Sequence, residues 1–222
     1  MIIRKYGIEL HRVQHSDIEL IRITRNREDI RARMFDQGII SPEQQEAWFH
    51  SINNMRNYFF IIQHQGSRIG LIQGKDIDLE NREAEGGIYI WEPALLGSSI
   101  PAKASICFME ATFSLLLMER VYARIRKDNH QAYRYNVALG YTPAPEKGPD
   151  YMVLTRQVYE KKIPALRKLA AGNRETLPLS INDVEIPDAK TQMPLYQDLP
   201  EDIFQSFSPR LPPRPEALRA QD

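Results

Sequence analysis

Residues 85–101 read EGGIYIWEPALLGSSIP, and the fold is best worked out from this stretch. Its β-rich run at 86–91 predicts a strand, and the glycine and serine residues at 96–101 predict a turn. A long helix over 102–118, a strand over 121–126 and a short helix closed by Gly140 are predicted next. A strand leading through such a turn into a helix leaves free N–H groups and a positive dipole end, which suit a phosphate. The stretch therefore indicates a site for a nucleotide-type cofactor.

The composition of the 222-residue chain indicates one sizeable domain with an extension. Its 29 basic and 29 acidic side chains cancel, so no overall field favours nucleic acid or a membrane surface as a partner. The single cysteine, Cys107, lies in an apolar helical run and is interpreted as a buried structural thiol. The chain shows no metal-ligand spacing, signal peptide or membrane-spanning stretch. We therefore expect a cytoplasmic protein that uses no metal.

The other segments predict an α/β fold with a mixed sheet. Ser16, with Glu19 three residues later, predicts the capping box of a first helix. Ser41 followed by Pro42 predicts the start of a second helix, which runs to about residue 52. Strands are predicted at 8–13, 58–62, 69–72 and 151–154. The strands at 58–62, 69–72 and 86–91 are expected to run antiparallel.

The character of the chain changes near residue 159. We expect a domain over 1–158, a helical extension over 159–176 that Pro164 interrupts, and a Pro-rich tail over 177–222 that is extended or partly disordered. The tail nevertheless holds more apolar residues than a linker does, among them Tyr196 and Ile203. Part of it could therefore wrap the domain or contact a neighbouring subunit, which leaves a homo-oligomer open.

Residues 128–141, DNHQAYRYNVALGY, carry the most specific pattern. Asn129 follows the predicted strand, Ala132 is the small residue three places later, and Leu139, Gly140 and Tyr141 close the next helix. This segment resembles the GNAT superfamily of acetyl-coenzyme A-dependent N-acyltransferases, over about residues 6–158. The resemblance implies a mixed central sheet flanked by helices, acetyl-coenzyme A as co-substrate and direct transfer to a small amine in a ternary complex.

Within that superfamily, residues 24–26, 40–41, 48–49 and 87–90 resemble the branch that acetylates nucleotide-linked amino sugars, as in pseudaminic-acid synthesis. Arg25, Asn26 and the pair Arg31 and Arg33 could bind the diphosphate of such a substrate through forked hydrogen bonds. For Arg31 and Arg33 a solvated helix face is an equal alternative. A second branch with similar sequence acetylates the N-termini of ribosomal proteins. A non-catalytic GNAT-like binding or assembly module is a third hypothesis.

The resemblance also implies the cofactor site. In the family, the thioester oxygen meets a backbone N–H of the strand at 86–91, which places Tyr89 beside the acceptor amine. The coenzyme turn is altered, because Gly97 is its only glycine and Pro101 removes one N–H donor. The hydroxyls of the two turn serines could replace lost hydrogen bonds. The expected cofactor-binding residues are Ile90, Trp91, Gly97, Ser98, Ser99, Ala102, Asn129, Ala132 and Asn136.

Catalysis of amine acetylation requires a base for the amine and an acid for the leaving thiolate. Asn136 occupies the position of the tyrosine acid of many relatives, so Tyr133 or Tyr135 is expected to take that role, with core packing as the alternative. Glu85 is the first choice for the base, acting through water, and Glu83 is the second. For Glu85 a merely solvated carboxylate is the competing interpretation.

Overall fold

A single nine-stranded sheet runs through residues 1–172 and 177–213, the part of the chain that this computed structural model describes. The strands are β1 (Ile2–Lys5), β2 (Ile8–Arg12), β3 (Tyr58–His64), β4 (Ser67–Asp78), β5 (Glu83–Ile90), β6 (Arg120–Arg124), β7 (Thr142–Pro143), β8 (Tyr151–Thr155) and β9 (Val184–Glu185). Their order across the sheet is β7-β8-β6-β5-β4-β3-β2-β1-β9. The predicted antiparallel arrangement of β3, β4 and β5 is confirmed. The predicted mixed sheet is also confirmed, because β5 and β6 are parallel.

Helices cover both faces of the sheet. They are α1 (Ile18–Asn26), α2 (Glu28–Arg31), α3 (Pro42–Ile52), α4 (Ile100–Ser114), α5 (His130–Leu139), α6 (Arg156–Ala171), α7 (Ala189–Gln192) and α8 (Glu201–Phe207). Phe59 and Ile61 of β3 pack with α1 and α3, whereas Phe60 and Ile62 belong to the larger cluster around α4. This alternation gives the domain two cores, one on each side of β3. Cys107 lies in the larger core with no exposed surface, as predicted.

The pairing between β5 and β6 is short, and this creates the central opening of the fold. The two strands pair from Glu83 with Arg120 to Gly86 with Ala123. Beyond Gly86, β5 continues to Ile90 while paired only with β4 among the described strands, and β6 ends at Arg124. The edge of β5 that faces β6 is therefore open after Gly86.

The helix starts follow the predictions only in part. Ser41 caps α3 by accepting the N–H of Gln44 at 3.2 Å, as predicted. The predicted cap at Ser16 is wrong, because the carboxylate of Asp17 accepts the N–H of Gln14 at 2.8 Å and forms an earlier turn, so that α1 begins at Ile18.

The C-terminal extension differs from the expected extended segment. Helix α6 begins at Arg156 and passes through Pro164 without ending. The tail forms β9, α7 and α8, and its Tyr196, Ile203 and Phe207 are almost fully buried against the domain. Burial of these apolar side chains supplies the driving force for folding that a composition rich in proline does not suggest. Residues 173–176 and 214–222 of the predicted extension and tail lie outside the described residues, and the boundary at residue 158 stays a prediction.

A buried carboxylate joins the extension to α4. Glu110 has no exposed surface, and its Oε1 accepts hydrogen bonds from Nε and Nη2 of Arg167 at 2.8 and 2.6 Å. Its Oε2 accepts the hydroxyl of Tyr6 at 2.5 Å. The turn between β1 and β2, helix α4 and helix α6 therefore meet at one charged group. Among the described helices, none has the length and hydropathy needed to cross a membrane.

Candidate active site

A cavity of about 670 Å³ opens where β5 and β6 separate. Its walls come from β4, β5, β6, α4, α5, Arg25 of α1 and the loop over residues 32–41, called here the acceptor loop. The cavity brings together many of the predicted residues: Arg25, Glu85, Tyr89, Ile90, Ser98, Ala102, Asn129, Ala132, Tyr135 and Asn136. Six others stand outside its lining: Asn26, Arg31, Trp91, Gly97, Ser99 and Tyr133.

The turn before α4 presents unused backbone donors at one end of the cavity. No hydrogen bond within the described part of the chain uses the N–H groups of Gly97, Ser99 or Ala102. The hydroxyl of Ser98 donates to the carbonyl of Leu95 at 2.8 Å and accepts the N–H of Ile100 at 3.1 Å. Its single proton therefore holds the turn together and does not replace a donor for a ligand. The donors fit a phosphate, because a helix N-terminus favours negative charge.

The open edge of β5 supplies a second set of donors. The N–H of Trp91 donates to Ile69 at 3.0 Å, so it points toward β4. Alternate residues of an antiparallel strand turn their N–H groups to opposite sides, which directs those of Ile88 and Ile90 to the open side. The indole of Trp91 donates to the carbonyl of Arg68 at 2.9 Å, so neither of its donors is free for the predicted cofactor contact.

Helix α5 closes the other side of the cavity. Asn129 caps it by accepting the N–H of Ala132 at 3.0 Å. Gly140 ends it with a φ of +112°, and a Cβ at that position would lie 2.9 Å from the side chain of Lys162. The amide of Asn136 donates back to the carbonyl of Ala132 at 2.9 Å. These contacts fix both asparagines at the cavity wall.

The tyrosines near the cavity differ from the prediction. Tyr133 is 45% exposed and points away from the cavity lining. The hydroxyl of Tyr135 donates to the carbonyl of Pro101 at 2.9 Å and lies 2.7 Å from Oγ of Ser105. Burial raises the pKa of Tyr135 to about 12. Its proton is therefore engaged in packing α5 on α4.

Sequence reasoning missed Tyr141 as a site residue. It lines the cavity, and its hydroxyl lies 3.8 Å from the position that a Cβ on Gly86 would occupy. This hydroxyl forms no hydrogen bond with another described residue, and burial raises the pKa of Tyr141 above its usual value. The signal in the sequence is its place after Gly140, because a left-handed residue at a helix end turns the next side chain inward.

Glu85 lines the cavity on the face of the sheet opposite α4. Its Oε1 is 3.0 Å from Nζ of Lys75, the residue across from it on β4. Burial lowers the pKa of Lys75, but the hydrogen bond and attraction to Glu85 outweigh burial and raise that pKa overall. The second candidate base, Glu83, bonds Arg120 at 2.6 Å and Lys147 at 3.3 Å and is outside the cavity lining.

Basic side chains dominate the charged lining. Five basic residues stand against two acidic ones: Arg25, Arg33, Lys75, Arg124 and Arg126 against Asp36 and Glu85. Nη2 of Arg25 donates to the carbonyl of Asp36 at 2.5 Å, whereas its Nη1 is buried without a hydrogen-bond partner in the described residues. Burial lowers the pKa of Arg25. Arg25 therefore lines the cavity and carries a buried donor that no described residue satisfies.

Arginines also hold the acceptor loop. The guanidinium carbon of Arg124 lies 4.0 Å from the ring centre of Phe35, and Nη1 of Arg126 donates to Met34 at 3.1 Å. The predicted substrate residues Asn26 and Arg31 serve the same loop. Asn26 bonds both backbone groups of Ile40, and Arg31 donates to Gln37 and pairs with Glu28. Both therefore have structural partners and stand behind the cavity wall.

Comparisons with known proteins agree with this geometry. Residues 8–142 match the family model described as an acetyltransferase (GNAT) domain. The spermidine N-acetyltransferase of Vibrio cholerae, solved with coenzyme A and spermine, has 19% identity and a TM-score of 0.63 over 70% of this chain and 99% of that one. An aminoglycoside acetyltransferase solved with coenzyme A has 17% identity and a TM-score of 0.60 over 69% and 98%. No curated protein matches the chain by sequence.

At these identities the solved structures show a shared fold. The family model covers more than half of the chain, so it decides the assignment. The donors at the α4 turn and along β5 are the groups that the phosphates and the amide-bearing arm of coenzyme A need. The chain thus belongs to the GNAT acetyltransferases and is an N-acyltransferase that uses acetyl-coenzyme A.

Proposed function

We propose that this protein acetylates the amine of a small molecule that also carries negative charge, and specifically a nucleotide-linked amino sugar. One observation carries the proposal: Arg25, Arg33 and Arg124 line the cavity, and none of them has a carboxylate of a described residue within 4.0 Å. Unpaired guanidinium groups in a partly enclosed site favour phosphate oxygens, which they bind through paired hydrogen bonds.

These arginines stand on the side of the sheet away from the coenzyme turn. Val121 and Ala123 of β6 belong to the core around α4, so Arg124 faces the opposite side. Arg25 lies on α1, which packs on that same opposite side. Coenzyme phosphates at the α4 turn are therefore expected to use other groups, and the arginines remain for the acceptor.

The charge of the wall also separates this proposal from its alternatives. The spermidine enzyme among the similar structures is described with spermine, a polycation. A wall with more basic than acidic groups repels a polycation and attracts an anion. An enzyme that acetylates protein N-termini would be expected to have an open or acidic groove. In this protein the acceptor loop instead lines the cavity with Arg33 and Phe35.

The proposal assigns a group of this chain to each catalytic task. Acetyl-coenzyme A supplies an activated acetyl group when bound. The N–H groups of Ile88 and Ile90 are placed to bind its carbonyl oxygen, where negative charge develops during transfer. Glu85 accepts the proton of the amine through water, and Tyr141 gives a proton to the departing sulfur. Lys75 holds the carboxylate of Glu85 in one position.

A transfer assay tests the acceptor. Acetyl-coenzyme A is offered with a nucleotide-linked amino sugar, the same amino sugar without the nucleotide, spermidine and an N-terminal peptide. We expect kcat/KM to be highest for the nucleotide-linked substrate. Higher kcat/KM for spermidine or the peptide would contradict the proposal.

Substitution of Arg25 sharpens the assay. Arg25→Met should raise KM for the nucleotide-linked substrate by about tenfold or more, because a hydrogen bond to a charged group contributes roughly 1.5–3 kcal/mol. The KM for the free amino sugar should hardly change. Arg56→Met is the matched control, because Arg56 is exposed and outside the cavity lining. An equal loss for both sugars would show that Arg25 acts only by holding the acceptor loop.

A further inference from the structure

The cavity continues beyond the point where β5 and β6 separate. At its far end it passes under the paired part of the two strands, on the side of α4. We call this part the deep branch, and it is lined by Phe108, Met109, Thr112, Phe113, Val121, Leu139 and Tyr141. The coenzyme turn lies at the opposite end of α4, so the deep branch is the end of the path that starts at that turn.

The length of the path can be read from the helix and strand. The lining follows α4 from Pro101 to Thr112, which corresponds to roughly 16 Å along a helix axis. On β6, Val121 lies two residues before Ala123, the last residue paired with β5. This is about 7 Å beyond the opening at the usual rise of a strand. The deep branch therefore extends well past the N–H groups of Ile88 and Ile90.

The walls of the deep branch are apolar. Thr112 uses its hydroxyl to donate to the carbonyl of Phe108 at 2.8 Å, which leaves its methyl group as a wall. The charged residues that line the cavity come from the acceptor side and from β4, not from α4. Tyr141 supplies the hydroxyl closest to Gly86, at the entrance. Such a surface binds a hydrocarbon chain and has nothing to offer a charged group.

Glycine at position 86 lets β5 and β6 pack closely at the entrance. A Cβ there would lie 3.1 Å from Cγ1 of Val121, so a side chain at this position would have to displace Val121. Gly86 is also the last residue of β5 that pairs with β6. The deep branch therefore begins two residues before Ile88, whose N–H is expected to bind the carbonyl oxygen of the thioester.

We propose that the deep branch binds the hydrocarbon chain of acyl-coenzyme A donors longer than acetyl, such as butyryl and hexanoyl, so that the enzyme transfers short-chain acyl groups as well as acetyl. The proposal rests on the proposed transferase function but not on the identity of the acceptor. The amine nitrogen forms a bond to the acyl carbon, whose bond to sulfur breaks. The amine loses one proton to Glu85 and the sulfur gains one from Tyr141, which yields an amide and free coenzyme A.

Calorimetry tests the proposal without an acceptor. Full-length protein is titrated with coenzyme A, acetyl-, butyryl- and hexanoyl-coenzyme A. Burial of one methylene improves binding by about fourfold, so butyryl-coenzyme A should bind about tenfold more tightly than acetyl-coenzyme A. Equal or weaker binding of butyryl-coenzyme A, with coenzyme A itself bound, would overturn this proposal alone. Lack of binding by coenzyme A would overturn the proposed function as well.

Two changes at Val121 locate the chain. Val121→Phe fills the deep branch and should remove the gain from longer chains. Val121→Ala widens the deep branch and should improve the binding of hexanoyl-coenzyme A relative to butyryl-coenzyme A by threefold or more. This variant tests the proposal even if Val121→Phe does not fold. Val153→Phe is the matched control, on β8 and outside the cavity lining, and should keep the gain. An unchanged ratio of hexanoyl to butyryl binding in Val121→Ala would overturn the proposal.

Discussion

Nζ of Lys75 lies 3.0 Å from Oε1 of Glu85, and the two residues face each other across β4 and β5. Both side chains line the cavity, whereas Glu83, two residues earlier on the same strand, bonds Arg120 and Lys147 outside it. The pair places one carboxylate on the acceptor side and holds it there.

Removal of this carboxylate should affect catalysis specifically. We expect Glu85→Gln to lower kcat about 100-fold, the usual effect of losing a general base. Glu83→Gln is the matched control and should keep kcat within about threefold, since Glu83 does not line the cavity. Equal kcat values for Glu85→Gln and the unmodified enzyme would assign the base elsewhere.

The acid is tested by removing single hydroxyls. Tyr141→Phe should lower kcat by about 10- to 100-fold, because it removes the hydroxyl proposed to protonate the departing sulfur. That hydroxyl has no hydrogen-bond partner among the described residues. Tyr135→Phe should change kcat little, since the hydroxyl of Tyr135 donates to Pro101. The opposite order of the two effects, measured under saturating substrate, would make Tyr135 the acid.

The cap of α5 should contribute measurably to stability. Asn129→Ala should lower the free energy of unfolding by about 1 kcal/mol, the usual cost of a lost helix cap. Asn129→Asp keeps the acceptor oxygen and should keep most of that stability. Urea denaturation with an unchanged m-value measures the difference. Equal stability of the two variants would show that the cap contributes nothing.

The buried carboxylate of Glu110 should dominate the attachment of α6. Loss of one partner of a buried ion pair leaves a charge without compensation, so Arg167→Met should lower the free energy of unfolding by about 3–5 kcal/mol. The exposed pair of Arg156 with Glu119 gives the comparison, and Glu119→Gln should cost no more than about 1 kcal/mol. Similar costs for both changes in chemical denaturation would contradict this difference.

Attachment of the tail should depend on pH through Asp202. Both of its carboxylate oxygens lie 2.9 Å from Nη2 of Arg82, and this hydrogen bond holds the pKa of Asp202 below its usual value of 3.8. A carboxyl whose pKa is lowered on folding stabilises the folded state above its unfolded pKa and loses that effect as the pH falls through the folded value. Asp202→Asn should therefore be less stable than the unmodified protein at pH 7, and the difference in the free energy of unfolding should shrink as the pH falls below 3.8. A difference that persists in strong acid would exclude ionisation as its cause.

Local signals in the sequence were sufficient for much of the fold. The Ser41 cap and the Gly140 stop act through neighbouring backbone groups, so their positions could be read directly. Strand β1 was missed, because its four residues show no alternating pattern and it is held by pairing with β2 and β9. For the tail, the apolar residues indicated that part of it could wrap the domain, but its helices and β9 were not predicted, since its burial depends on partners far away in the chain.

Cavity residues could be predicted where their place follows directly from their position at a strand end or a helix start. Asn129, Ala132 and Ile90 fall into this class, and all three line the cavity. Lys75, Arg124 and Tyr141 were missed, because their places depend on strand register and on where β5 and β6 separate. Tyr133 was chosen by its distance from Asn136 along the chain, but the helix turns it to the solvent.

The two outermost strands of the sheet, β7 and β9, have two residues each. β7 ends in Pro143, which has no N–H to offer, and β9 covers the outer edge of the longer β1 with residues from the tail. Long uncovered edges recruit strands from other molecules and lead to aggregation. We therefore expect the C-terminal extension to shield the β1 edge from strands of other molecules, and removal of the tail should promote aggregation even with the cavity intact.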